Sequence, residues 1–214
     1  MKHIVFWFDP ISPFAYLAFE RLPQVLAGVS CEVSYRPLLF AGLLKHWGQK
    51  GPAEIEPKRA WTFRHVHWLA QRDGIDLQTP AQHPFNPLAL LRLMLACAPV
   101  GATPNRFVCE TVLRHVWRGG LDAADPMRLA ALTAELAPAR EPDSEAVKLE
   151  LREATDAAVA RAVFGVPSIE VDGRLFWGAD SLEMFSASLR ADPWFDSGVW
   201  EDAGARRPGL HRKP

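Results

Sequence analysis

The amino-acid sequence predicts an α/β fold in which a block of helices separates two groups of β-strands. Strand-like segments occur near both ends of the chain, and helical spacing of apolar residues fills the middle. A two-residue hairpin signal, Asp172-Gly173, lies between the last two strand-like segments. The chain has 214 residues, of which 49% are hydrophobic, so it is long enough to bury a sizeable core.

The N-terminal part has the pattern of a strand, a helix and a second strand. Residues 4–8 form a continuous apolar run with β-branched and aromatic members, which is typical of a fully buried strand. Ser12 can cap the next helix, Pro13 fits its first turn, and helical spacing continues to Gly28. Alternation of apolar and polar residues over 31–37 predicts the second strand. This order implies parallel strands joined by a right-handed crossover.

Helical patterns follow one another from residue 38 to about residue 161. Several of them begin with a proline that follows a capping residue, as in Asn86-Pro87, Thr103-Pro104 and Asp125-Pro126. We expect helices over residues 58–72, 87–98, 104–117, 126–136 and 145–164, the last of which ends at Gly165.

The C-terminal part returns to strands and closes with a helix. Residues 168–171 and 174–176 flank the hairpin turn, and residues 180–189 form the closing helix. A β-α-β unit followed by a β-β-α unit is the thioredoxin arrangement. We therefore expect a thioredoxin-like domain from residues 1–38 and 162–202, with an inserted all-helical domain over 39–161 and a disordered tail over 203–214.

Composition argues against several classes of protein. The net charge is −1 and no basic face stands out, so we expect no nucleic-acid partner. No apolar run approaches the 18 or so residues of a membrane helix, so we expect no membrane partner. The three cysteines are far apart, which favours a reducing cytoplasm over a disulfide framework. The scattered histidines and cysteines do not form a metal site.

The start of the first helix is the most informative stretch. A thioredoxin-like fold carries a Cys-x-x-Cys redox pair there, whereas this chain has Ser12 and Ala15 at the two positions. The place suits thiol chemistry, but the thiol has to come from another molecule. A hydroxyl at a helix N-terminus can donate a hydrogen bond to a bound thiolate, and the helix dipole favours the anion. The alternative is that Ser12 serves only as an N-cap.

A second candidate element precedes the third strand. In thioredoxin-like folds the position of Pro167 is that of a cis-proline whose neighbour, here Val166, leaves its backbone open to a peptide-like ligand. The alternative is a trans-proline that only ends the preceding helix, since cis is the minority form of an X–Pro bond.

These motifs resemble a known family. Residues 8–18, FDPISPFAYLA, resemble the opening of the 2-hydroxychromene-2-carboxylate isomerase family, which is related to kappa-class glutathione transferases and to DsbA-like proteins. The sequences FGVP at 164–167 and FWGAD at 176–180 resemble the second half of the same family. The likeness covers nearly the whole chain except its tail.

The resemblance implies that glutathione is the bound cofactor. It implies that Ser12 contacts the glutathione sulfur and is the catalytic residue. Val166, beside Pro167, would bind the cysteinyl backbone. Asp180 would hold the γ-glutamyl amino group, and Ser181 or the helix start would take the carboxylate.

The chain departs from the family pattern at two of the implied positions. Ser181 stands where the family commonly has an arginine, and Gln49 lies where the family usually has an asparagine in the loop after the second strand. Gln49 could replace that asparagine as a polar contact to glutathione.

The family reaction converts 2-hydroxychromene-2-carboxylate reversibly into trans-o-hydroxybenzylidenepyruvate by thiolate addition, bond rotation and elimination. The resemblance therefore implies a small aromatic acid as substrate and a homodimer as the assembly. Candidate substrate-binding residues are Lys45, Trp47, Phe85 and Arg92.

Three other functions stay open. A kappa-like glutathione transferase would act on other electrophiles, and a non-catalytic protein would bind a thiol on the same scaffold. A thiol–disulfide oxidoreductase is the third alternative, although both site cysteines are missing.

Overall fold

A mixed four-stranded sheet forms the centre of the molecule. The computed structural model describes residues 1–205, and within them the strands are β1 (Lys2–Phe8), β2 (Cys31–Pro37), β3 (Ser168–Val171) and β4 (Arg174–Trp177). The order across the sheet is β2-β1-β3-β4. β1 pairs parallel with β2 and antiparallel with β3, and β4 closes the sheet as an antiparallel hairpin with β3. The predicted thioredoxin-like α/β fold is confirmed.

Helices connect the strands and follow them. Helix α1 (Pro13–Val25) joins β1 to β2. Six helices separate β2 from β3, and two follow β4 within the described residues. They are α2 (Phe40–Trp47), α3 (Glu56–Asp73), α4 (Leu88–Ala96), α5 (Arg106–Trp117), α6 (Pro126–Leu136), α7 (Glu145–Ala160), α8 (Leu182–Leu189) and α9 (Val199–Gly204).

Both faces of β1 are buried because its side chains alternate between two apolar layers. Ile4, Phe6 and Phe8 belong to the larger cluster, which includes residues of α1, α4, α5 and α8. Val5 and Trp7 belong to a smaller cluster with residues of α2, α7 and the loop before β3. The continuous apolar run of β1 is therefore explained by its central place in the sheet.

Several predicted boundaries are wrong by a few residues. Helix α7 ends at Ala160 rather than residue 164, because Ala162 adopts a left-handed conformation with φ of 57°. Helix α5 begins at Arg106 instead of residue 104, because Asn105 is the N-cap and its Oδ1 accepts the Val108 N–H.

The ends of α4 and α8 also differ from the sequence prediction. Helix α4 is confined to Leu88–Ala96, and the closing helix begins at Leu182 after a single 3₁₀ turn, Ala179–Ser181. Residues 203 and 204 of the predicted disordered tail belong to α9, and residues 206–214 lie outside the described residues.

Side chains of the helical segment hold the loop between β1 and α1. The Trp117 indole Nε1 donates to the Pro10 carbonyl oxygen at 2.9 Å. His83 Nε2 donates to the Ile11 carbonyl oxygen at 2.9 Å. These two hydrogen bonds fix the backbone that leads directly into Ser12.

Candidate functional site

Ser12 occupies the N-cap of α1 and is almost completely buried. Its Oγ accepts the Ala15 N–H at 3.2 Å, which satisfies one of the free donors of the first helical turn. The same hydroxyl donates to the Val166 carbonyl oxygen at 3.3 Å, across 154 residues of sequence. Ser12 therefore both caps the helix and faces the loop before β3.

The Val166–Pro167 peptide bond is cis, as the sequence pattern predicted. Among residues 1–205, the Val166 N–H has no hydrogen-bond acceptor. The Pro167 carbonyl oxygen accepts the Gly178 N–H at 2.9 Å, which ties this loop to the end of β4. One backbone donor thus remains available beside Ser12.

A groove of about 410 Å³ runs beside Val166. One wall is the face of α1 that carries Phe14 and Arg21, and a second wall is the part of α3 around Trp68 and Arg72. The end of β4 and the start of α8, from residue 177 to residue 183, form the third wall. The groove is lined by aromatic rings and by charges of both signs.

The acidic side of the groove lies at the start of α8. Asp180 and Glu183 line it, and neither makes an ion pair with any of the described residues. Gly178 has φ of 92°, which favours glycine, and a Cβ there would displace the Asp180 carboxylate. The Ser181 hydroxyl donates to the Gly178 carbonyl oxygen at 2.8 Å.

Comparison with known proteins agrees with the fold. The family described as the DSBA-like thioredoxin domain matches residues 3–190. The chain belongs to the DsbA-like family. This DsbA-like protein is 30% identical to a 2-hydroxychromene-2-carboxylate isomerase of Pseudomonas putida over 194 residues, which cover 86% of this chain and 92% of the relative.

Two further similarities agree with that assignment. Glutathione S-transferase kappa 1 of Rattus norvegicus is 25% identical over 205 residues, covering 88% of this chain and 90% of the relative. A solved 2-hydroxychromene-2-carboxylate isomerase superposes with a TM-score of 0.77 at 22% identity, covering 92% of this chain and 98% of the other. The family resemblance predicted from the motifs is confirmed.

The predicted residues of α2 lie at the C-terminal end of that helix in the DsbA-like protein. The Trp47 indole donates to the Val163 carbonyl oxygen at 3.0 Å, and its ring is partly exposed. Lys45 and Gln49 are exposed near the same end. Val163 is three residues before Val166, so this end of α2 lies beside the loop that carries the cis-proline.

Phe85 and Arg92 do not line the groove. Phe85 is half-buried, with its ring 6.2 Å from the ring of His83. Arg92 donates to Asp143 Oδ1 at 2.9 Å and lines a separate cavity of about 520 Å³ between α2, α4 and α7. Of the other predicted residues, Val166 and Asp180 line the groove. Ser12 is joined to Val166 by its hydrogen bond, and Pro167 and Ser181 are hydrogen-bonded to Gly178. The lining does not include Lys45, Trp47 or Gln49.

Asp9 is a buried ionisable group that the sequence patterns did not single out. Its Oδ1 accepts the Ile11 N–H at 3.0 Å, and its Oδ2 accepts the Phe40 N–H at 2.9 Å. Burial raises the pKa of Asp9 from 3.8 to about 7, although both backbone hydrogen bonds oppose the change. The carboxyl joins the loop before Ser12 to the start of α2.

The chain's own cysteines do not lie in the predicted thiol site. Cys31 begins β2, Cys97 follows α4, and Cys109 lies within α5. Burial raises the pKa of Cys97 and raises that of Cys109 well above its ordinary value, which disfavours the reactive thiolate. Any thiol chemistry at Ser12 would therefore require a thiol from another molecule.

Residues 1–205 contain neither a membrane-spanning helix nor a metal-binding cluster. No helix in this range is both long and apolar enough to cross a membrane. No group of three or more histidine, cysteine, aspartate or glutamate side chains in it could hold a metal ion.

Proposed function

We propose that the protein is a glutathione-dependent isomerase that interconverts 2-hydroxychromene-2-carboxylate and trans-o-hydroxybenzylidenepyruvate, or a close aromatic analogue. The observation that carries the proposal is the pairing of Ser12 Oγ with the Val166 carbonyl at the N-terminus of α1, where no protein thiol is present. The names of the isomerase and kappa transferase relatives support the same chemistry.

The residues present fit glutathione. The Val166 N–H lacks an acceptor among the described residues, and a cysteinyl backbone carbonyl would supply one. Asp180 offers an unpaired carboxylate for the γ-glutamyl ammonium. When bound, glutathione supplies the thiolate that adds to the conjugated double bond of the substrate and later leaves.

Ser12 stabilises the charged sulfur. Its hydroxyl makes only a long hydrogen bond to Val166, so it can turn to donate to a bound sulfur while its oxygen still accepts the Ala15 N–H. The N-terminus of α1 adds its partial positive charge. A free thiol has a pKa near 8.5, and lowering that pKa by one unit corresponds to about 1.4 kcal/mol of preference for the thiolate.

The substrate is a small aromatic acid, and the groove beside Val166 offers it aromatic contacts from Trp68 and Trp177. We retain Lys45, Trp47 and Gln49 as further contacts, because they lie near the C-terminal end of α2, next to the loop before Val166. Phe85 and Arg92 are not assigned to this groove.

The direct test follows the absorbance of 2-hydroxychromene-2-carboxylate in the presence of the protein, with and without glutathione. We expect isomerisation that requires both the protein and glutathione. Ser12→Ala removes a hydrogen bond to a charged sulfur, so turnover should fall about tenfold to a hundredfold.

Ser144→Ala is the matched control. Ser144 caps α7 through a hydrogen bond from the Val147 N–H, so its loss costs helix stability of about 1 kcal/mol, as at Ser12. It lies outside the groove, and turnover should be unchanged. Equal rates with and without glutathione, or a Ser12→Ala rate equal to that of the wild type, would overturn the proposal.

A kappa-like transferase is the second candidate, since the rat kappa transferase is similar over 88% of this chain. A transferase would release a stable glutathione conjugate from an electrophile such as 1-chloro-2,4-dinitrobenzene, whereas the isomerase releases free glutathione. Mass spectrometry of the products separates the two activities. We also propose a homodimer in the cytoplasm, which size-exclusion chromatography and cell fractionation test.

A further inference from the structure

Arg72 is a charged residue of the groove that the proposed function has not used. It lies in the last turn of α3, and the groove beside it also includes Asp180 and Glu183 from the start of α8. The hydrogen bonds that Arg72 donates to Asp73 are the main cause that raises the pKa of Arg72, and the charge of Glu183 adds to this effect. The groove therefore has a cation on one wall and carboxylates on another.

The guanidinium of Arg72 is held in place with part of its donor set free. Its Nε donates to Asp73 Oδ1 at 2.7 Å, and its Nη2 donates to Asp73 Oδ2 at 2.9 Å. Its Cζ lies 5.4 Å from the centre of the Trp68 ring, so a cation–π interaction with that ring also holds the guanidinium. Both Nη1 donors and one Nη2 donor have no acceptor among the described residues, and this edge can hold a carboxylate with two hydrogen bonds.

Asp73 does not cancel the positive charge at this wall. Arg21 Nε also lies within 3.4 Å of Asp73 Oδ2, so one carboxylate faces two guanidinium groups. The three side chains together carry one net positive charge.

The start of α8 supplies the opposite charge, and its one side-chain donor, the Ser181 hydroxyl, is already occupied. The Ser181 hydroxyl is already bonded to the Gly178 carbonyl oxygen at 2.8 Å, so a bound carboxylate would have to break that bond to use it. Asp180 and Glu183 would repel a carboxylate and attract an ammonium group.

We propose that Arg72 binds the α-carboxylate of a γ-glutamyl group whose ammonium pairs with Asp180, so that the groove selects thiols that carry a free α-amino acid. This specificity rests on the proposed glutathione-dependent function. It assigns the carboxylate to α3 instead of Ser181. A thiol that lacks either charge loses one of the two contacts.

The test measures binding of three thiols by isothermal titration calorimetry to the full chain. They are glutathione, 4-aminobutyryl-cysteinylglycine, which lacks the α-carboxylate, and glutaryl-cysteinylglycine, which lacks the ammonium. We expect the wild type to bind glutathione at least tenfold more tightly than either analogue. Arg72→Met should weaken glutathione and the glutaryl peptide about tenfold and leave the aminobutyryl peptide unchanged.

Asp180→Asn should give the complementary pattern, in which the glutaryl peptide binds no less tightly than before and the other two thiols bind less tightly. Arg64→Met removes an exposed arginine from the same helix outside the groove, and it should change none of the three affinities. If Arg72→Met does not fold, Arg72→Gln provides the same comparison.

The outcomes separate this proposal from the proposed function. Tight glutathione binding without discrimination among the three thiols, or an Arg72→Met variant that weakens all three equally, overturns the role of Arg72 and leaves the isomerase proposal intact. Absence of glutathione binding to the wild type overturns both.

Discussion

Asp9 shows how a single buried residue connects the candidate site to its surroundings. The carboxyl is fully buried and has two backbone donors, from Ile11 and Phe40, but no cationic partner among the described residues. The two neutral donors only partly offset the desolvation of the ionised carboxylate, so the pKa of Asp9 rises to about 7. Ionisation of Asp9 therefore lowers the stability of the folded state, whereas ionisation of a carboxylate that is paired or well hydrogen-bonded usually raises it.

This gives a pH-dependent prediction for Asp9→Asn. Between the ordinary pKa of 3.8 and the folded pKa of about 7, the folded state binds more protons than the unfolded state. Stability from this group is therefore present at low pH and is lost as the pH rises towards 7, by up to about 1.4 kcal/mol per pH unit. Asparagine does not titrate, so the free energy of unfolding of the wild type minus that of the variant should fall from pH 4 to 7 and then level off.

Urea unfolding of both proteins at each pH from 4 to 8 measures this difference. A constant difference over the whole range would show that Asp9 has an ordinary pKa in the folded protein.

Some residues of the candidate site can be predicted from the sequence, and others cannot. Ser12 and Val166 were predicted because each belongs to a short motif with a fixed place in the fold. Arg72 and Trp68, which line the groove, could not be singled out because a helix with charged and aromatic residues is typical of many surfaces. Their place in the groove depends on α3 packing against α1 and facing the start of α8 across the groove, a tertiary arrangement that leaves no local pattern in the sequence.

At the scale of elements, α2 depends on side chains that are far away in sequence. Its N-cap, Leu39, has no side chain that can accept a hydrogen bond. Instead, Thr155 Oγ1 on α7 accepts the Leu39 N–H at 3.1 Å, and Asp9 accepts the Phe40 N–H. The start of α2 could not be predicted from the sequence, because the usual local capping signal is absent.

The contact between α2 and α7 gives a second prediction. A Cβ at Gly42 would lie 2.9 Å from Thr155 Cγ2, which is closer than real side chains pack. Gly42→Ala gains helix propensity of about 1 kcal/mol but overpacks a buried contact, which costs about 1–3 kcal/mol. We expect net destabilisation in chemical denaturation.

Thr155→Ser provides the matched background for this test. It removes Cγ2 and keeps the hydroxyl that accepts the Leu39 N–H and donates to the Leu151 carbonyl oxygen. In that background Gly42→Ala should be neutral or stabilising. If Gly42→Ala costs the same in both backgrounds, the close contact with Cγ2 is not its cause.

At the scale of the whole molecule, the helical segment supports the sheet at the place where the site is built. Trp117 at the end of α5 and His83 before α4 hold the carbonyl groups of Pro10 and Ile11. The sequence predicted a helical segment between the two halves of the sheet. It could not predict this support, because the partners are 107 and 72 residues apart.

Trp117→Phe tests the support. The change leaves the buried Pro10 carbonyl without its donor, which costs about 1–3 kcal/mol, and the smaller ring leaves additional empty volume. We expect a lower free energy of unfolding and weaker glutathione binding, because the loop before Ser12 is less fixed.

Trp194→Phe is the control for that variant. Trp194 is 41% exposed, and its indole N–H has no acceptor among the described residues. Its stability should change by no more than about 0.5 kcal/mol. Equal effects of the two substitutions would argue against a special role for the Trp117 hydrogen bond.

The pairing of β1 with β3 also determines when the groove can form during synthesis. Ser12 and Val166 are 154 residues apart, and at about 5–20 residues per second the ribosome needs roughly 8–31 s to add the chain between them. During this interval one edge of β1 has no strand beside it and Ser12 has no partner loop. A nascent chain therefore carries Ser12 from the beginning of translation, but the proposed thiol site can form only after β3 and the start of α8 have left the ribosome.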